Sequence, residues 1–259
     1  MSLTTIVMNL PINRLTVAKL AALAVGGLAV AMVVPAAKLP AEPATGIAGA
    51  VIVSVVLAVL LNLAATRRRE LFSTVYLELN KLRRLYHISK NLAASGSKHR
   101  IWFTDLHGYI YGYLSEFSGR SLTEYNQTNP AFRKLSYHIY TVPELDTEKE
   151  RALYEDLLQS TATIAESRQR IKDMLSSRLS AYSWVVVLLL IAAFGTSVLL
   201  TAGPAVTERV AAGAVIASVL LVVDLLWELD TMSTDLRDWA KRYVDNVGKL
   251  ELGRRDAEE

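Results

Sequence analysis

The sequence predicts an all-α membrane protein: four transmembrane helices in two hairpins, with a helical cytoplasmic domain inserted between them. Three observations predict it. Apolar residues gather in four blocks, each near the ~20 residues that cross a ~30 Å hydrocarbon core. Basic residues crowd one side of those blocks. No stretch alternates with period two, as a half-buried strand would. Of the 259 residues 52% are hydrophobic and only 20% charged, and mean hydropathy is +0.27. That excess is concentrated in the blocks, as spans require and a soluble core does not.

Residues 1–65 hold an N-terminal segment and the first hairpin, with spans at about 15–34 and 45–65. Met1 to Asn13 is mildly apolar and is expected to lie along the membrane surface. Arg14 and Lys19 precede the first apolar run and PAAKLPAEPA follows it. A signal peptide shares that layout; we read the run as a true span. Gly27 with Ala31, and Gly46 with Gly49, are expected to serve close helix packing.

Residues 66–181 form the inserted domain. Phe72, Val75, Leu79, Leu82 and Tyr86 are spaced 3, 4, 3, 4, the step of a helical seam, so span two continues as one helix. Trp102, Leu106, Tyr109, Tyr113 and Phe117 mark a second helix. On it Gly108 and Gly112 invite the close approach of another helix. Ser121 with Glu124 caps a following turn, which TNP at Thr128 to Pro130 breaks. Phe132, Leu135, Ile139 and Val142 then resume the helical period. Thr147 with Glu150 is a capping-box signature. The stripe Leu153, Leu157, Ile164, Ile171 and Leu175 runs on toward span three. An unbroken helix from Thr147 to Ala202 would measure roughly 80 Å.

Residues 182–230 form the second hairpin, with spans at about 182–202 and 207–229, and residues 231–259 a C-terminal cytoplasmic helix or tail. The two hairpin turns hold Lys38 and Arg209. The opposite side holds Arg67, Arg68, Arg69, Lys81, Arg83, Arg84, Arg168, Arg170, Lys172, Arg178, Arg237, Lys241 and Arg242. The positive-inside rule therefore places both termini and the inserted domain in the cytoplasm, with the chain in the cytoplasmic (inner) membrane.

Chemical motifs are scarce. Without cysteine there is no disulfide, thiol catalysis or thiolate metal site. The chain has no Gly-rich phosphate loop, HExxH or GxSxG. Its four histidines include no pair at i,i+3 or i,i+4. An enzyme is not expected, and no catalytic residue or cofactor is assigned. A net charge of +3 is too mild to imply nucleic acid.

The polar residues of the spans carry the functional candidates. Span four ends in VVDLLWELDTM. Asp224 falls roughly 5 Å inside the inner edge, and Glu228 and Asp230 stand at or beyond the interface. Asp224 and Glu228 share a helix face, which Asp235 would extend by two turns. Around an axis of several subunits this face would form acidic rings, which favour cations. The competing reading pairs Asp224 with Arg178, Arg68 or Arg69. A third places a calcium ion or another cation among the carboxylates. Asn62 near the inner end of span two is a polar pore candidate, with Ser54 two turns earlier on the same face. Arg67, Arg68 and Arg69 are candidates for contact with anionic lipid or a permeating anion.

Two helical hairpins around a cytoplasmic insert, the stretch SRQRIKDMLSSRLSAYSWVVVLLL leading into span three, and LLWELD at the end of span four resemble the bestrophin-like family of bacterial and plant membrane proteins. The resemblance covers about Ala50 to Asp238. Its most specific elements are the Glu228-Leu229-Asp230 triplet and the basic pair Arg168 and Arg170. It implies a distant relation to bestrophins, which are pentameric ion channels, several of which bind calcium after the last span. A homo-oligomeric ion channel with a lean to cations is therefore expected, in contact with membrane lipids and inorganic ions, and pentameric if the resemblance extends to assembly. The alternative is a pore-less membrane-anchored interaction or signalling protein, acting through the seam from Phe72 to Tyr86.

Overall fold

The computed structural model describes residues 14–33 and 43–255. Eight α-helices follow in order: α1 (Arg14–Val33), α2 (Pro43–Ala93), α3 (Ser97–Ser115), α4 (Asn129–Ile139), α5 (Glu148–Ser176), α6 (Ala181–Thr201), α7 (Val206–Thr231) and α8 (Ser233–Arg255). A 3-10 turn, Leu122–Thr128, leads into α4. Among the described residues there is no strand, and the all-α expectation holds. Met1 to Asn13, expected along the membrane surface, lies outside the described residues.

The chain divides into two compact units, Met1–Ala65 with Leu179–Asp230, and Thr66–Arg178 with Thr231–Glu259. Three stretches, Gly49–Ala93, Ala181–Thr201 and Val206–Asn246, are helical, long and apolar enough to cross a membrane. The described apolar stretch of α1, Ala21–Val33, is shorter.

In the first unit α1 packs on α7 through small residues. A Cβ placed on Gly27 would stand 2.9 Å from the Ala217 backbone, and one on Gly213 would stand 3.0 Å from Leu28 Cα. Only glycine permits that approach, which raises van der Waals contact where apolar burial gives no drive. Arg209 closes the end of this pair. Its guanidinium donates to the carbonyls of Ala31 and Met32, at 3.3 and 3.2 Å. These are last-turn carbonyls that lack an intrahelical partner. The core of the unit is Val53, Leu57, Ala64, Val187 and Leu226.

In the second unit the seam on α2 is buried by the chain itself. Val75, Leu79, Leu82 and Tyr86 are all under 5% exposed, and Phe72 packs against the same core. Facing them are Leu106, Ile110 and Tyr113 from α3, Leu157, Ile164 and Ile171 from α5, and Leu236, Trp239 and Tyr243 from α8. Each such side chain contributes about 1.5–3 kcal/mol on full burial. Gly108 and Gly112 differ from expectation: nothing lies within 4 Å of a Cβ at either, so no helix approaches there among the described residues.

The approach to span three also differs from expectation. The helix is not unbroken; α5 ends at Ser176 and α6 begins at Ala181. Local chemistry explains the break. Arg67 holds the carbonyl of Ser177 at 2.9 Å in the second unit. Ser180 caps α6 by accepting from Ser183 N, 3.1 Å. A serine that caps the next helix competes with continuation of the previous one.

The capping box at α5 is complete. Thr147 Oγ1 accepts from Glu150 N, and Glu150 Oε2 accepts from the amides of Thr147 and Asp146, each at 2.9 Å. The Ser95 hydroxyl, followed by these amides, holds the Glu150 carboxyl down from 4.5 to about 2. A folded-state value below the unfolded one stabilises the fold above about pH 4.5, and that contribution fades as pH falls toward about 2. Glu150→Gln should therefore unfold more easily than wild type at neutral pH. The difference should close across that acid window, as read by denaturant midpoints of the purified protein at stepped pH.

Candidate functional site

The acidic end of α7 is built differently from its sequence reading. Asp224 forms an ion pair with Lys19 of α1, a partner outside the three arginines considered for it. Pairing relieves the cost of a carboxylate near the end of a span. Asp230 is 3% exposed. Its Oδ1 accepts from the amide of Leu179 at 2.9 Å, and its Oδ2 accepts from Trp184 Nε1 at 3.4 Å. Asp230 thus fixes the start of α6 rather than facing an ion path. Trp184 in turn packs edge-on to Trp227, with ring centroids 5.2 Å apart. Glu228 is half-buried and is also engaged. Among the described residues no three carboxylates or histidines gather as a metal site would require.

Asp235, expected to extend the acidic face, stands on α8 and not on α7. Met232 adopts φ 49°, left-handed backbone that a non-glycine residue rarely takes. This interrupts the helix between α7, which ends at Thr231, and α8, which begins at Ser233. The Met232 side chain is fully buried, which offsets the backbone cost. Asp235 belongs to the second unit, where Arg68 grips it with Nε at 2.5 Å and Nη2 at 3.0 Å. Of the three arginines proposed as lipid or anion contacts, Arg67 and Arg68 are thus engaged with the protein. Arg69 is exposed.

Asn62 and Ser54 are both exposed on α2, and Ser54 lines a groove of about 550 Å³ formed by α2, α6 and α7. Only Ser54 and Ser218 interrupt its apolar lining. Asn62 continues an exposed face that borders this groove at Ala58. Val51, Val55, Ala58, Asn62, Thr66 and Arg69 recur at steps of three and four, and all are exposed. They form an unpartnered stripe on one helix, apolar at one end and polar at the other.

The most elaborate polar arrangement lies inside the second unit and was not singled out from the sequence. Glu78 of α2 is completely buried. Its Oε2 accepts from Tyr125 Oη at 2.5 Å and Tyr243 Oη at 2.7 Å. Its Oε1 accepts from Tyr113 Oη, which itself accepts from Arg168. Arg168 stands 3.7 Å from Glu78 and donates to Thr128 Oγ1 at 3.1 Å and Asn129 Oδ1 at 2.8 Å. Its guanidinium lies over the rings of Phe132, Tyr125 and Tyr113, at 4.5, 4.7 and 5.0 Å from the centroids.

Burial, then the Glu78 charge, pushes all three tyrosine hydroxyls well above 10, so they act as neutral donors. Burial alone would lower the pKa of Arg168; Tyr113, Tyr125 and Glu78 raise it above its ordinary value. The network satisfies a buried ion pair from every side and ties α2, α3, the 3-10 turn, α5 and α8 together. Spacing signals it: Glu78 falls three after Val75 and four before Leu82, and Arg168 four after Ile164. A lone charge in register with a buried stripe needs an internal partner.

These features define a helical membrane protein with a separately packed polar unit. A family model, the bestrophin-like domain, matches residues 19–247. The chain therefore belongs to the bestrophin-like family, as its resemblance implied. No curated protein and no solved structure matches it.

Proposed function

We propose that the protein is a homo-oligomeric ion channel of the cytoplasmic membrane, with four spans, both termini in the cytoplasm and the second unit on that side. Family membership supports the class. The observation that carries the reading is the exposed stripe on α2. Asn62, Thr66 and Arg69 are polar positions on a long apolar-to-polar helix, and the side chains of Val51, Val55, Ala58 and Asn62 are exposed among the described residues. Copies arranged about an axis would cover this stripe and leave water between them. Val51 and Val55 would form the narrow apolar part and Asn62 the polar mouth. Hydrophobic constrictions of this kind gate by dewetting.

The lean to cations rested on an acidic face. Lys19 now offsets Asp224, Asp230 is engaged by Leu179 and Trp184, and Asp235 pairs with Arg68. The stripe itself adds one cation, Arg69. Charge discrimination is accordingly expected to be weak. The pore-less alternative loses its motivating feature, because the seam from Val75 to Tyr86 is inside the fold.

The chain has no cysteine, so single cysteines report position without background. Cysteines at Val55, Ala58 and Asn62 should react with a charged thiol reagent and lose most ion flux on modification. Cysteines at Ile52 and Leu63, exposed on another face, should leave flux unchanged. Equal effects on both faces would remove the stripe from the pore.

A further inference from the structure

We infer that the groove between α2 and α8 in the second unit binds a phosphate- or carboxylate-bearing anion. The groove measures about 600 Å³ and is lined by Arg83, Arg242, Lys241, Asn80 and Asn246, with Asp238 and Asp245 at its side. This is room for a small organic anion rather than a single ion. Two arginines face it with unused hydrogen-bonding capacity. Arg242 makes no hydrogen bond or ion pair through its guanidinium among the described residues. It lies over two aromatic rings, 5.1 Å from the Tyr76 centroid and 5.4 Å from that of Phe72. Phe72 is itself packed edge-on with Tyr76 and tilted against Trp239. Contact with the rings anchors the guanidinium at the groove, where its N–H groups can meet paired oxygens.

Arg83 supplies the second cation. One of its terminal nitrogens donates to Asn246 Oδ1, and its Nε is buried with no acceptor. An orphaned donor on a charged group is costly in a finished interior. Asn246 is positioned in turn, since its Nδ2 donates to the carbonyl of Arg242 at 2.6 Å. The same amide therefore links both arginines.

The acids of the groove divide between two roles. Lys241 pairs with Asp238 at 3.3 Å, which removes one carboxylate from the field. Asp245 is exposed at the rim and opposes an anion. Arg83 and Arg242 against Asp245 leave a net positive site, so its affinity is set by the balance of these three.

Two sources of the anion share this chemistry, a soluble phosphate compound and a lipid headgroup. The test titrates inorganic pyrophosphate into the purified full-length protein by calorimetry. In parallel it compares nanodiscs of phosphatidylglycerol with nanodiscs of phosphatidylcholine by thermal stability. Saturable pyrophosphate binding should weaken at least tenfold in Arg242→Gln and tighten several-fold in Asp245→Asn. Arg242 lines the groove, so its variant keeps the fold. Stabilisation by phosphatidylglycerol that disappears in Arg242→Gln would support the site and assign it to lipid. Two results would overturn it: no saturable pyrophosphate binding together with equal stability in both lipids, or binding that neither variant alters. None of these readouts depends on ion flux, so the site and the channel stand or fall separately.

Discussion

Replacing Arg168 with methionine is expected to lower the stability of the second unit by about 3–5 kcal/mol, the cost of leaving a buried charge without its partner. Glu78 would keep its three tyrosine donors and lose the counter-charge 3.7 Å away. Thr128 and Asn129 would lose the donor that joins the 3-10 turn to α5. The double variant Glu78→Gln with Arg168→Met should recover a large part of that loss, because it removes both charges. Denaturant unfolding of the single and double variants, followed by circular dichroism, measures the coupling. Additive losses would mean that the two residues act independently, contrary to the network described.

The second large effect is expected in the membrane unit. Gly27→Leu should drive α1 away from α7 and lower stability by about 1–3 kcal/mol, the range for overpacking a fitted contact. Even a Cβ there meets three atoms of Ala217 at 2.9 Å, two of them backbone. The neighbour Gly26 has nothing within 4 Å, so Gly26→Leu should be nearly neutral. Separation of the two helices would also strain the Lys19–Asp224 pair and the hold of Arg209 on Ala31 and Met32. Thermal midpoints of the two variants, compared in one detergent, decide the matter. Equal losses from Gly26 and Gly27 would indicate a general effect of bulk and not a specific contact.

Much of the fold was legible because its signals are local. Periodicity revealed the continuous α2, and Thr147 with Glu150 revealed the start of α5. The small residues Gly27 and Ala31 revealed a close approach, though not that its partner is Gly213 and Ala217. What the sequence hid depends on contacts distant along the chain. Asp230 reads as a residue leaving the membrane, yet it holds an amide 51 residues away. The break before α6 is invisible in an apolar stripe that runs straight through it. The turn at Met232 carries no glycine or proline to announce it. Gly108 and Gly112 misled for the opposite reason: a spacing that permits close packing does not supply a helix to pack.

The candidate site shows the same division. Asn62 reads from the sequence as a polar residue of a span, with Ser54 on the same face, and it stands exposed on the α2 stripe. The α7 carboxylates were singled out as a group, and the structure distributes them among different partners. Lys19 could have been proposed for Asp224 only by knowing that α1 packs on α7. Glu78 and Arg168 were within reach, since each interrupts a buried stripe in register.

Ion flux into liposomes holding the purified protein, with potassium, sodium and chloride varied separately, decides whether the protein is a channel. Flux should discriminate weakly between cations and anions and fall when a cysteine at Asn62 is modified. The absence of flux for every ion, in vesicles where the protein is shown to be inserted and assembled, would contradict the proposed channel.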